Sequence, residues 1–170
     1  MKKLFITIFI LLSSNYLKAE IPFIVDFKYV LNESDAGKKA QKFLQNKLSK
    51  GLENLKAKEK KIQEEEKKII QQKKLLSPED YKKKVADLRN KVSSLQKERN
   101  SLLENVSKDR TKARNELLKN LNPILKEYMK QNKIRMVVDR KSILLADENL
   151  EITKAIVELL NKKLKSINLN

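Results

Sequence analysis

The side chains with which this chain can do chemistry are overwhelmingly lysine and arginine. There are 39 of them against 22 Asp and Glu, a formal net charge of +17. Cys and His are both absent. Their absence removes disulfides, thiolate metal sites, a thiol nucleophile, the commonest general base and the commonest zinc ligand. Two Gly in 170 residues leave no phosphate-cradling loop. The carboxylates fall mostly on helix faces that read as solvated. No catalytic residue, cofactor or metal is therefore expected, and the chain reads as a non-enzyme. What the charge can do is attract an acidic partner: nucleic acid, an anionic membrane or an acidic protein. The candidate contacts are the run Lys82-Lys83-Lys84, with Arg89 and Lys91 one to two turns on. Taken singly, such runs are usually solvated helix faces.

The N-terminus bears on which partner is met. Met1-Lys2-Lys3 precede an apolar run from Leu4 to Leu12, then a polar stretch ends in Leu17-Lys18-Ala19. That is the layout of a secretory signal peptide over residues 1–19, cleaved after Ala19. The run is about half the roughly 20 residues of a membrane span. Residues 20–170 would then carry 36 basic and 22 acidic residues, a net +14. Export argues against nucleic acid as a physiological partner.

The basic residues sit on helices that must carry them. Phe23 to Phe27 is apolar enough for a short buried strand. Asn32, Ser34 and Asp35 then offer N-cap oxygens. Ala36 to Leu76 reads as one helix, with Leu48, Leu55, Ile62 and Ile69 at seven-residue intervals. The complementary column is expected three residues earlier, at Gln45, Leu52, Glu59 and Glu66, so the seam should thin outward beyond Leu52. Ser77-Pro78-Glu79-Asp80 is a helix start, with Ser77 as cap and Pro78 at the first position. The next helix alternates three and four residues through Tyr81, Val85, Leu88, Val92, Leu95, Leu102, Val106, Ala113 and Leu117. Arg99 and Asp109 interrupt it, as a register-fixing polar layer or as a flexible point. Pro123 should end or kink this helix. The fold class expected is mainly α: an antiparallel helical hairpin over residues 35–121, its tip near 75–78, where Tyr81 and Leu75-Leu76 pack.

Beyond Pro123 come a short helix to Gln131, a strand over 134–139 centred on Val137-Val138, a turn at Arg140-Lys141, and a second strand from Ser142 to Ala146. A final helix is expected with Thr153 as N-cap and Ile152 and Val157 as a hydrophobic staple. Its buried stripe is Ile156, Leu159, Leu160 and Leu164. Residues 20–34 and 122–170 would form a small α+β body of about 64 residues. A body that small needs a staple, and without Cys or metal ligands the common solution is oligomerisation. Phe23, Ile24, Val25, Phe27, Val137, Val138, Ile143, Leu144, Leu145 and Ile152 are the expected oligomerisation residues. Neighbouring subunits would also cover the exposed sheet edges. Sequence physics leaves the subunit number open.

Two segments resemble a known family. The strand Phe23 to Asp26, then Val30-Leu31-Asn32-Glu33-Ser34 and a helix carrying Gly37, is similar to the opening of the Skp/OmpH-like periplasmic chaperones. Val137-Val138-Asp139-Arg140-Lys141-Ser142-Ile143-Leu144-Leu145-Ala146, then Glu151-Ile152-Thr153, resembles the family's C-terminal segment, with Glu151 where Asp is common. The resemblance implies a homotrimer whose β-rich body bears three helical hairpins around a cavity. There the family holds unfolded outer-membrane proteins without nucleotide.

The charge distribution suits that role. Residues 38–132 carry 27 basic and 13 acidic residues, +14, whereas 20–37 carry −3 and 133–170 carry +3. Clients would be drawn in electrostatically and retained by many shallow apolar contacts along several arms. The alternatives are a structural coiled coil, or a basic one that binds anionic lipid or nucleic acid. The basic runs lack interleaved aromatics for base stacking.

Overall fold

The computed structural model describes residues 21–169. The expected signal peptide, residues 1–19, lies outside them. Strand β1 (Phe23–Val25) pairs in parallel with β2 (Val137–Asp139), in the register Phe23 with Val137, Ile24 with Val138 and Val25 with Asp139. Parallel strands need a crossover, and here the crossover is the entire helical arm. On its other edge β1 makes a single bridge, Ile24 to Glu151, where the Ile152 amide donates to the Ile24 carbonyl at 2.9 Å.

The first strand is shorter than its apolar run. Asp26 stops it by accepting the Tyr29 amide at 2.8 Å, which caps a helix the sequence reading lacks, α1 (Phe27–Glu33). Phe27 is therefore helical and only partly buried, although it packs on the core as expected. Ser34 ends α1 and opens α2 (Asp35–Gln72), its buried hydroxyl accepting the Gly37 amide. At Gly37 a side chain has no room: a Cβ there would lie 1.9 Å from the Leu31 carbonyl oxygen.

Helix α3 (Pro78–Gln131) starts as the sequence predicts, with the Ser77 hydroxyl accepting the Asp80 amide at 3.1 Å. It does not end at Pro123. The helix runs on to Gln131 because Leu121, Ile124 and Leu125, on either side of the proline, are all buried in the core. Burying them outweighs one lost backbone hydrogen bond. α3 finally stops at Lys133, whose φ of 56° lets the Ile134 amide reach back to the Met129 carbonyl at 2.8 Å.

The expected strand at 142–146 does not form. Asp139 accepts the Lys141 amide and closes a 3₁₀ turn over Arg140–Ser142, and the following residues find no strand partner within the chain. A second 3₁₀ turn, Glu148–Leu150, leads to α4 (Thr153–Lys163). Its N-cap position is Ile152, without a side-chain cap, and not Thr153. The Thr153 hydroxyl is used elsewhere: it accepts the Asp26 amide at 2.7 Å and donates to Glu151.

One core holds these pieces together. Val25, Val30, Leu121, Ile134, Ile156 and Leu160 pack with Ile124, Leu125 and Ile152, all buried. After α4 the chain folds back across the arm's root. Leu169 is buried against Ala40 and Ala113, Ile167 and Phe43 pack beside them, and Lys165 pairs with Asp35 at 3.0 Å.

Candidate functional site

The arm is the one extended surface in the molecule. Its helices span 38 and 54 residues, so α2 is roughly 57 Å and α3 roughly 80 Å long. Their register is fixed at Gly51, where an added Cβ would stand 2.5 Å from the Leu102 methyls. That contact shows which residues complete the seam of α2. The second row is Leu44, Gly51, Lys58 and Glu65, four residues before each member of the Leu48 row. The column Gln45, Leu52, Glu59, Glu66 stands one residue further round. Leu52 is accordingly 44% exposed, and the expectation that it closes the seam is corrected.

The two sides of the seam differ. In an antiparallel hairpin, rows of the same kind face each other. Leu48, Leu55, Ile62 and Ile69 therefore meet the row Val85, Val92, Arg99, Val106 and Ala113. The other side brings Lys58 and Glu65 against Leu95 and Leu88, and it is tied by ion pairs. Lys47 meets Asp109 at 2.6 Å, Lys58 meets Glu98 at 2.5 Å and Lys91 meets Glu65 at 2.6 Å. On the first side Arg99 and Glu59 are only 3.8 Å apart. Asp109 is thus a paired register point, whereas Arg99 is largely exposed. Burial fades on α3, where no residue before Val106 is buried, but not on α2, whose Leu55 and Ile69 stay buried out to near the tip, so the expected outward thinning is corrected for the Leu48 row. At the tip the Lys73 ammonium lies 5.7 Å from the centre of the half-buried Tyr81 ring, Leu76 is half-buried and Leu75 is exposed.

Lys82, Lys83, Lys84, Arg89 and Lys91 are all exposed. The helix does not gather them. By heptad position Lys82 and Arg89 flank the apolar side of the seam, Lys84 and Lys91 flank the ion-paired side, and Lys83 points away. Lys91 is engaged with Glu65. Sequence reasoning missed Leu52, Val92 and Leu103 as exposed apolar positions on the arm. A helical wheel with the correct second row marks Leu52 and Leu103 as flank positions. Only the structure reveals that the seam residue Val92 is open.

In the body, Ile24, Val25 and Ile152 are buried, and Phe23, Val137 and Val138 are partly so. Ile143 is half-buried. Leu144 and Leu145 are not part of the core: they are 96% and 90% exposed. They project from a segment that borders an open recess of about 580 Å³ beside Ile24. Next to it, Glu151 fastens three elements. Burial pushes its carboxyl up, but bonds from the Thr153 hydroxyl and from Arg140 at 2.7 Å outweigh this, so its pKa lies below the ordinary carboxylate value. Among the described residues no cluster of His, Cys, Asp or Glu could hold a metal, and no helix is long and apolar enough to cross a membrane.

A long basic coiled-coil hairpin standing on a small parallel two-strand body defines an arm-bearing, mainly α protein. The chain belongs to the OmpH-like outer membrane protein family, whose model matches residues 23–160. Its fold is similar to a crystal structure from Caulobacter crescentus CB15, described as an OmpH-like outer membrane chaperone. The TM-score is 0.80 at 19% identity, covering 87% of this chain and 89% of that one. None of the curated proteins compared with the chain matches it.

Proposed function

We propose that this protein is an ATP-independent periplasmic holdase, a non-enzymatic chaperone that binds unfolded outer-membrane proteins between helical arms and prevents their aggregation. The observation that carries the reading is the arm itself: a projecting hairpin with +14 over residues 38–132 and with apolar side chains left open along it. Such a surface attracts unfolded, acidic chains over a distance and holds them through many weak contacts. No strong site forms, so release needs no nucleotide.

Exposed apolar residues of the body support the reading that it assembles, and the resemblance to the family is what makes the assembly a homotrimer. Leu144 and Leu145 are two adjacent leucines left almost fully exposed on the recess beside Ile24, the kind of apolar patch that marks an interaction surface. A neighbouring subunit seated over the recess would bury both. Residues 20–34 and 122–170 would then be the oligomerisation body and 35–121 the arm. An anionic lipid surface is a further partner open to the same charge.

The test dilutes a denatured outer-membrane β-barrel protein into buffer with stoichiometric chaperone. Aggregation should be suppressed, and suppression should weaken with added salt and with Lys82→Glu/Lys83→Glu/Lys84→Glu. Aggregation at the rate of the client alone would end the holdase reading. Capture indifferent to both salt and charge reversal would remove its electrostatic part.

A further inference from the structure

The arm's arginines are not scattered. All four lie on α3, at Arg89, Arg99, Arg110 and Arg114, and α2 has none. Heptad positions place Arg99 in the apolar-side row, Arg89 and Arg110 on its flank, and Arg114 just beyond. Leu52 and Leu103 occupy the same flank on the two helices, each one residue past the Gly51–Leu102 contact. With Val92 they form a line of apolar side chains that are 44–50% exposed. The lysines of α3 between residues 83 and 119 fall on the other positions, at the back or on the ion-paired edge. Arg89, Arg110 and Arg114 form no ion pair among the described residues and Arg99 has only a long one, 3.8 Å from Glu59, whereas Lys47, Lys58 and Lys91 spend their charge in close pairs within the hairpin.

Apart from Lys82, which shares Arg89's flank next to the tip, this segregation separates two kinds of cation. Guanidinium is planar and weakly hydrated, binds carboxylate with two parallel bonds, and stacks on aromatic rings. Lysine is a hydrated point charge suited to solubility. Arg89, Arg99 and Arg110 recur every ten or eleven residues, roughly 15–17 Å along the helix, with Val92 and Leu103 in the intervals. We propose that this arginine–leucine edge is the surface that grips the client, taking aromatic and carboxylate side chains of an unfolded polypeptide, while the ion-paired edge faces away. The inference rests on the holdase reading and adds which edge of the arm touches the client and by what chemistry. A single-stranded nucleic acid fits less well, because the edge offers aliphatic side chains and no ring for base stacking.

Leu103 and Asn105 lie two residues apart on opposite edges, so they make a matched pair of probes. A photo-crosslinking residue is placed at each in the full chain and irradiated with an unfolded outer-membrane barrel protein. Adducts should be several-fold more abundant from position 103, and excess single-stranded DNA should leave them in place. Arg89→Lys/Arg110→Lys, which keeps the charge, should weaken client affinity about three- to tenfold, while Lys83→Ala/Lys97→Ala should change it less. Equal adducts from both positions in a chaperone that suppresses aggregation would overturn the edge assignment and leave the holdase reading standing. Displacement by DNA would overturn it in favour of a nucleic-acid surface. Failure of the unmodified protein to suppress aggregation or form adducts would overturn both.

Discussion

Gly37 shows how a single residue can fix the entry to the arm. The Leu31 carbonyl occupies the space a Cβ would need, so Gly37→Ala must push α1 away from α2. We expect a loss of about 1–3 kcal/mol, read from urea unfolding; an unchanged midpoint would contradict the close approach. Lys133 is the opposite case, a non-glycine residue held at φ 56°. Lys133→Gly should stabilise by about 0.5–1 kcal/mol, because the left-handed cap no longer crowds a Cβ. Glu151 gives the body its acid sensitivity. Its folded pKa is depressed, so its contribution is present above the unfolded carboxylate value and is lost as pH falls through the folded one. Melting temperature measured from pH 7 down to pH 3 should drop less steeply in Glu151→Gln than in the parent at the acid end. A parallel pair of curves would show that the Thr153 and Arg140 bonds do not favour the carboxylate.

Among the elements, the hairpin is built to be weak at its outer end. Lys58 and Glu65 occupy seam positions opposite Leu95 and Leu88 that leucine would fill in a stable coiled coil. Their ion pairs with Glu98 and Lys91 are exposed, and exposed pairs contribute about 0–1 kcal/mol each. Lys58→Leu/Glu65→Leu should therefore slow hydrogen exchange over residues 58–98 by about tenfold or more without altering the body. Exchange that is unchanged or faster would mean the ion pairs already hold the arm closed. At the root, Ile167 and Leu169 brace both helices, and they lie beyond the residues matched by the family model. The packing thus braces the arm near the body and leaves its outer part more exposed, an arrangement the proposed holdase role would use.

For the whole molecule, the single chain leaves its body unfinished. Among the described residues β2 is paired on one edge only, and Leu144 and Leu145 stand in solvent on the recess beside Ile24. A native mass measurement should return an oligomer, and Leu144→Asp/Leu145→Asp should return a monomer with reduced stability. An oligomer that survives both substitutions would place the interface elsewhere. The net charge acts at this same scale: in the proposed assembly, like-charged arms would repel, which would hold a space between them open and keep the empty protein soluble.

The long apolar repeat, the Ser77-Pro78 start and the Ser34 cap were legible in the sequence because each is a local signal, set by helix geometry and by backbone donors that need acceptors. So were the two helices, their antiparallel connection and the placing of charge on them. Other features depend on partners distant in the chain. Pro123 stays inside a helix, itself exposed, because its neighbours Leu121, Ile124 and Leu125 are buried in the body's core. Asp26 ends β1 by capping α1, and its own amide is then taken up by the Thr153 hydroxyl, 127 residues away. The 142–146 segment is apolar and β-prone, but a strand needs a neighbour, and the chain supplies none. The second row of the seam could not be read from α2 alone, since polar residues fill it; only the close contact of Gly51 with Leu102 decided which side chains face inward. By itself the sequence determined the two long helices of the arm and the sign of their charge. The tertiary structure decided which edge of the arm is tied within the hairpin and which is left to meet something else, because that depends on how two helices are rotated about their own axes.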